Sequence, residues 1–347
     1  MGRTRNAIAV MAGIAASVAA LTATATAQDA VDFYRGRTVT VIAGASAGGG
    51  IDLFARQLSR FIGKHIAGNP QVVVQNVPGA GSKVAAKNIY AVAPKDGTVM
   101  GTVLSGALME PIRQEAARRD YDPLKFNYIG NGNAEALSTV VRVDSGLTAI
   151  DDMYVKELVA DTPGGGSSVH ESTMVAKNIL GAKLRVVTGY PGVREVGLAM
   201  EKGEVQGMVG LAFTTIRQFF PGYLTGEKGF KVIAQDNLAG HPELNKAGIP
   251  LSVSRAKTPA DKEAVELYQT QAVLVRTYVA PPGVPADRVK ILRKAFLDAI
   301  NSPEFQAEMV KQNSEAVPQS GEEVEALIAK LYKSPPELVA RVAAATQ

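Results

Sequence analysis

VTVIAGASAGGGIDLFARQL, residues Val39 to Leu58, joins a short apolar run to an amphipathic pattern through a turn of glycine, alanine and serine. Thr38 to Gly44 reads as a buried strand. Ile51 to Ile66 reads as a helix with Leu53, Phe54, Leu58, Phe61 and Ile62 on one side. The grammar then repeats. QVVVQNV, from Gln71 to Val77, is a second strand, and PGAGSKVAAKNIYAVAP is a turn and a helix from about Ser82 to Val92, stopped by Pro94. KDGTVMGTVLS supplies a turn and a third strand. Strands and helices alternating at this spacing predict a right-handed parallel α/β sheet.

Downstream the pattern restarts. ALSTVVRV, from Ala136 to Val143, is a strand; TPGGGSSVHESTMVAKNIL is a Gly/Ser turn opening a helix; KLRVVTGY is another strand. PGVREVGLAMEKGEVQGMVGL follows as turn, helix and strand, and AVLVRTYVAPPGVPADRVKILRKAFLDAI as strand, Pro/Gly turn and helix. The expected architecture is two α/β lobes, with the chain crossing between them near residues 136 and 272. Residues 28–135 plus 272–347 form lobe I and residues 136–271 form lobe II. No Gly/Ser linker separates them, so the lobes are joined through strands, which favours a hinge.

Residues 1–27 stand apart. Arg3 and Arg5 precede an apolar run from Ala7 to Leu21 that ends in small residues at Ala25 to Ala27, the pattern of a cleavable secretory signal. The apolar run is shorter than a membrane span needs. Removing the two arginines lowers the formal charge from +4 to +2, evenly spread. No basic run and no tryptophan point to nucleic acid, whereas small anions remain compatible. The absence of cysteine excludes disulfides, thiol catalysis and a lipid-modified cysteine. The expectation is an exported, soluble monomer without metal or cofactor, since His65, His170 and His241 show no metal-binding spacing.

Gly44-Ala45-Ser46-Ala47-Gly48 matches the G-x-S-x-G nucleophile elbow, which would make Ser46 the nucleophile of a secreted serine hydrolase. That fold places several strands before its serine, and here about 18 residues lie between the signal and Ser46. Of the histidines, only His241, with Asp236 before it, respects the required chain order. A Walker A loop needs Lys-Ser/Thr after its last glycine, where this chain has Ile51-Asp52. The dinucleotide fingerprint needs a third glycine where Leu53 stands.

What remains is an anion cradle: backbone N–H groups of Ala45, Ser46, Ala47, Gly48 and Gly49 at the positive end of a helix, with Asp52 holding the turn. The alternative is a tight turn that Asp52 merely caps. The motif recurs at Gly164, Gly165, Gly166, Ser167 and Ser168, and again at Gly189-Tyr190-Pro191-Gly192 with Arg194 just beyond. Such turns gather at the carboxyl ends of the strands and would face one another across a cleft. Arg194 reads either as a partner for an anion or as a solvated helix residue. His170 reads as a ligand neighbour or as cover for the helix end. Ser105 and Gly106, ending the third strand, are further wall candidates.

At these residues the chain resembles the substrate-binding proteins of tripartite tricarboxylate transporters, the Bug family of periplasmic receptors. The likeness runs through VTVIAGASAGGGIDLFARQLSRFIGKHI, VVVQNVPGAGSKVAAKNIYAVAPKDGT, VVTGYPGVREVGLAMEKGEVQG and VAPPGVPADRVKILRKAF, nearly the whole of the chain after the signal. The resemblance implies a two-lobed, type II (Venus-flytrap) periplasmic binding protein that closes on a small carboxylate and delivers it to inner-membrane transporter subunits. A sensor subunit with the same ligand chemistry is the alternative partner role. The resemblance also implies that Ala45 to Gly49 and Gly164 to Ser168 hold the ligand's proximal carboxylate, largely through backbone groups and ordered waters. In one respect this chain departs from it. Many members carry an aromatic-proline pair before the glycines, and this chain has Ala45-Ser46-Ala47.

Overall fold

The computed structural model describes residues 33–113, 118–134, 136–162, 167–190 and 192–346; the signal-like segment 1–27 lies outside the described residues. The first lobe opens with β1 (Thr38–Ala43), α1 (Gly50–Ile62), β2 (Gln71–Asn76), α2 (Lys83–Lys87, running on into a π turn at Asn88–Val92), β3 (Val99–Thr102), α3 (Ser105–Arg113) and β4 (Asn127–Asn131). The chain then crosses into β5 (Leu137–Arg142), α4 (Asp152–Val155), β6 (Leu158–Thr162), α5 (Ser168–Asn178), β7 (Leu184–Thr188), α6 (Val193–Lys202), β8 (Gly207–Ala212), α7 (Phe213–Phe219), β9 (Phe230–Gln235), α8 (Pro242–Lys246) and α9 (Pro259–Gln269). It returns through β10 (Thr277–Ala280), α10 (Ala286–Ile300), α11 (Pro303–Lys311), β11 (Gln319–Ser320) and α12 (Gly321–Leu331), and ends in α13 (Pro336–Ala345).

The strands form two sheets, in the orders β11-β4-β10-β3-β1-β2 and β7-β6-β8-β5-β9. Each sheet has a parallel trio around its first parallel strand, β2-β1-β3 in one and β7-β6-β8 in the other. The parallel arrangement expected of the first three strands holds for β1, β2 and β3, and beyond them the sheets are mixed. β10 runs antiparallel to β3 and β4, and β5 runs antiparallel to β8 and β9. The reason is the crossing: β5 and β10 each bring the chain in from the other lobe, so each enters against the direction of the trio beside it.

Alternation along β1 builds the first core. Val39, Val41 and Ala43 pack with Phe54, Leu58 and Ile62 of α1 and with Leu292 and Phe296 of α10 on one face, while Ile42 joins Ala85, Ile89 and Ile328 on the other. In the second lobe, Val140 packs with Val196, Met200 and Phe213, and Val141 joins Leu158, Ala160 and Leu184 on the opposite face. With both faces covered, each sheet holds its strand ends in fixed places, which is what a ligand site built on those ends requires.

The two crossing segments lie side by side. Gly132 donates its N–H to the Arg276 carbonyl at 3.0 Å, and the Arg276 N–H reaches Asn131 Oδ1 at 3.0 Å. The Arg276 guanidinium is buried beneath the cleft, donating to Thr214 Oγ1 of α7 at 3.3 Å and lying over the Phe54 ring of α1. Helix α13 is seated on α9 and α5, where Val342 and Ala345 pack with Val175 and Val265, and Asn178 Nδ2 donates to the Ala345 carbonyl at 2.8 Å.

Candidate functional site

The turn after β1 is held by one buried carboxylate. Asp52 Oδ2 accepts from the Gly48 N–H at 2.8 Å and from Arg56 Nε at 3.0 Å, and Oδ1 accepts from Asn76 Nδ2 at 2.8 Å. The same Asn76 amide donates to the Ala45 carbonyl at 2.9 Å, tying the turn to the end of β2. Burial alone would raise the Asp52 carboxyl; the hydrogen bonds from Arg56, Gly48 and Asn76 outweigh it and hold the group below the usual carboxylate range. Gly48 sits at φ +83°, a left-handed position that favours glycine. At Gly49 the backbone is extended, and no side chain caps α1, so the N–H groups of its first turn stay open toward the space in front of them.

A second loop comes in beside it. Gly79, Ala80, Gly81 and Ser82 all have positive φ, of which Ala80 (47°) and Ser82 (73°) carry the steric cost of a side chain in the left-handed region. Ser82 Oγ donates to the Gly44 carbonyl and accepts the Leu104 N–H at 3.0 Å. One hydroxyl thus joins the loops after β1, β2 and β3. A Cβ on Gly44 would stand 2.8 Å from that hydroxyl oxygen, so a glycine is needed there to let the loops meet.

The second lobe supplies the opposite wall. Ser167 is the N-cap of α5 and accepts the His170 N–H at 3.1 Å. His170 Nδ1 shares a hydrogen bond with Thr162 Oγ1 at 2.9 Å, so its ring ties α5 to the end of β6, and burial lowers its pKa. Helix α6 begins at Gly192, again without a side-chain cap, and its first turn carries Val193, Arg194 and Glu195.

Between these walls lies a cavity of about 320 Å³. The first lobe lines it with residues 44–47, 49–51, 78–82 and 104, the second with residues 167–169 and 192–195. Three helix starts, those of α1, α5 and α6, therefore open on one small space. The Arg194 guanidinium crosses it: Nη1 lies 3.3 Å from where a Cβ on Gly48 would be.

Of the residues expected from sequence, Ala45, Ser46, Ala47, Gly49, Ser167, Ser168 and Arg194 line this cavity, with Gly48 beside Arg194. Gly165 and Gly166 lie outside the described residues. Tyr190 is turned to Glu204, donating its hydroxyl at 2.6 Å. Ser105 is buried as the first residue of α3, followed by Gly106, and the residue of that segment on the cavity wall is Leu104. The 78–82 loop escaped sequence reasoning. The signal for the loop was Pro78-Gly79-Ala80-Gly81-Ser82 at the carboxyl end of β2, where an α/β sheet places ligand loops.

Among the described residues no histidine lines the cavity: His170 is bound to Thr162, and His241 Nε2 meets Glu315 Oε1 at 2.8 Å. Asp236, the acid that chain order would pair with His241, is buried against Thr139 Oγ1 at 2.8 Å. Also among the described residues, no three His, Asp or Glu side chains are grouped so as to hold a metal ion.

Two α/β lobes of matching strand order, linked by paired crossing segments and enclosing a cavity lined by helix starts, define a two-lobed solute-binding protein. Residues 54–342 match the tripartite tricarboxylate transporter family receptor, TctC. The chain belongs to that family, whose members are solute-binding receptors and not enzymes. The periplasmic binding protein BugD shares the fold, with a TM-score of 0.70 at 21% identity, covering 89% of this chain and 98% of that one. MatC from Rhodopseudomonas palustris, described with bound malate, does so with a TM-score of 0.66 at 18% identity over 90% of this chain and 99% of its own. A protein of the gbd 5′ region of Cupriavidus necator is 33% identical over 167 residues, 46% of this chain. That match spans about half (49%) of the relative's length.

Proposed function

We propose that this chain is an exported periplasmic receptor that captures a small carboxylate between its lobes and hands it, as a monomer and without a cofactor, to the inner-membrane subunits of a tripartite transporter. The observation that carries this reading is the convergence of the α1, α5 and α6 starts on one cavity of about 320 Å³. Uncapped N–H groups at the α1 and α6 starts and the aligned dipoles of all three helices favour an anion, and the small volume suits a metabolite. Ala45 to Gly49 and the Gly164–Ser168 turn would grip the ligand's carboxylate from opposite sides. Ser46 is a hydrogen-bonding neighbour in this scheme. The lobes, 28–135 with 272–347 and 136–271, would close about the paired crossing segments. Malate bound to a protein of the same fold is in keeping with a carboxylate ligand.

A thermal-shift panel tests this. An organic acid present at a hundred times its dissociation constant should stabilise the protein by about 2.7 kcal/mol, a rise of several degrees. A panel of mono-, di- and tricarboxylates with no stabilising member, alongside an uncharged solute that does stabilise, would remove the carboxylate reading.

A further inference from the structure

The lobes also meet at a polar contact that takes no part in the cavity wall. His241 caps α8 in the lobe of the second sheet: its Nδ1 accepts the Glu243 N–H at 3.2 Å, and its own N–H donates to Gln235 Oε1 at 2.6 Å. Because Nδ1 accepts, the neutral ring carries its proton on Nε2. That nitrogen lies 2.8 Å from Oε1 of Glu315, in the segment between α11 and β11 that leads into the first sheet. Arg217 Nη1, on α7, stands 4.0 Å from the other Glu315 oxygen, and Gln218 Nε2 donates to the Gln312 carbonyl at 3.3 Å. The His241 ring packs on Phe213, with centroids 4.7 Å apart, and its side chain is 15% exposed. Among the described residues, the titratable and charged groups facing it are Arg217, Tyr223 beyond α7, Glu243 of α8 and Glu315. Tyr223 donates its hydroxyl to Glu243 Oε1, so that carboxylate is engaged. The hydrogen bond from His241 holds Glu315 below the usual carboxylate range against the effect of burial, and the charges of His241 and Arg217 add to it.

We infer that His241 and Glu315 form a proton-operated latch between the lobes, tightened when the histidine is protonated. The neutral ring divides its two nitrogens: one caps α8, and the other donates a neutral hydrogen bond to Glu315. A proton taken from solvent goes onto Nδ1, which then stops accepting, so the Glu243 N–H is released and α8 loses its cap. The same proton makes the Nε2 bond a charge-assisted one to an ionised carboxylate, roughly twice as strong as its neutral counterpart. The exchange moves stabilisation from within one lobe to the contact between the two. Histidines as a class titrate near about pH 6.5, and Glu315 stays ionised until the pH falls below the ordinary glutamate value of 4.5. The latch is strongest between those values. Above them the ring is neutral, and below them the carboxylate is protonated. The latch belongs to the ligand-free chain and stands apart from the carboxylate reading above.

Distance measurement by pulsed electron paramagnetic resonance on the full mature chain, without ligand, tests this. The sequence has no cysteine, so Val92→Cys and Val155→Cys place one spin label on an exposed site of each lobe, off the cavity wall. Between about pH 8 and about pH 5.5, the population with the lobe spacing of this structure should rise about tenfold relative to other spacings, the difference between a charge-assisted and a neutral bond. Glu315→Gln and His241→Asn, one on each side of the contact, should show the same distribution at both pH values. Asparagine keeps a side-chain cap for α8 and carries no titrating proton. Asp161 of β6, a buried acid pushed up to about 6, titrates in the same range, and Asp161→Asn should respond as the wild type does. A wild-type distribution that does not change with pH, a change that persists in either latch variant, or one that vanishes in Asp161→Asn would overturn the inference.

Discussion

Two buried aspartates flank the two halves of the cleft, and their surroundings are opposite. Asp52, behind the first-lobe turn, accepts from a guanidinium, a backbone N–H and an amide, and is kept ionised. Asp161 is the last residue but one of β6. Its Oδ1 accepts the Thr162 N–H at 2.6 Å, while its Oδ2 has no partner among the described residues, and burial pushes its pKa up to about 6. The first half is thus a turn locked by a saturated charge. The second is held by hydroxyl caps and carries an acid that titrates within the range a periplasm meets. The cleft thus has one half fixed by a fully paired carboxylate and one half whose buried acid is only partly paired.

The largest expected effect breaks the rigid side. Asp52→Ala strands the Gly48 N–H and the Asn76 amide and frees Arg56, and should cost about 2–4 kcal/mol in urea denaturation while abolishing calorimetric binding. With a lowered pKa, the wild-type contribution is fully present above about pH 4, the ordinary carboxylate range, and is lost as pH falls through the folded value. The alanine variant should therefore lose its disadvantage only in acid. Retained binding in Asp52→Ala would show that the turn does not depend on its anchor.

Asp161 gives the opposite sign. The native protein keeps this proton to about pH 6 and the unfolded chain releases it near 3.8, the ordinary aspartate value, so between the two the native state binds more protons and stability falls as pH rises. Asp161→Asn removes that penalty and should be more stable than wild type by about 1–3 kcal/mol at pH 7, the difference fading toward pH 4. Destabilisation at pH 7 would mean that the ionised carboxylate is satisfied there, erasing the contrast between the two halves.

Ser82→Ala should cost about 1–2 kcal/mol by leaving the Leu104 N–H and the Gly44 carbonyl without their shared hydroxyl. Ser82→Gly, which also relieves the left-handed strain, should recover part of that loss, read from the denaturation midpoints of the pair. The smallest effect separates neighbours. Gly48→Ala, at φ +83° and against Arg194, should cost about 1 kcal/mol and weaken binding, whereas an added Cβ at Gly49 meets only the Ser46 carbonyl oxygen, at 3.6 Å, and should leave stability within about 0.5 kcal/mol. Equal costs at the two positions would show that the turn does not discriminate between them.

The strands that sequence reasoning found are those whose apolar runs speak for themselves, such as Thr38–Ala43 and Leu137–Arg142. β4, Asn127–Asn131, is polar at both ends and contains a glycine, and its burial comes from neighbours on both sides that only the folded sheet supplies. β6 hides behind Asp161 in the same way, an acid that breaks the apolar pattern while being wholly buried. At the site, the turn at Ala45 to Gly49 was legible because glycines between a strand and a helix have few other uses. The 78–82 loop was not. Its function depends on a run of left-handed residues and on Ser82 bridging three loops, relations that local propensity does not encode. Arg194 was legible only as an alternative, because what separates a solvated arginine from one that crosses a cleft is the position of Gly48 in another lobe.

The position of β10 bears on the order in which the molecule can be completed. The strands of the second sheet lie within one uninterrupted stretch, from Leu137 to Gln235, so that sheet can form as soon as that stretch has been made. The first sheet cannot, since β10 separates β3 from β4 and is made about 146 residues after β4 ends. Until Thr277 to Ala280 arrives, β4 has no route into the sheet that begins at β1, and the half-built face of β3 is an open edge. The lobe that holds the locked turn is therefore the last to become whole, and the chain is most exposed to misassembly in the interval between the two.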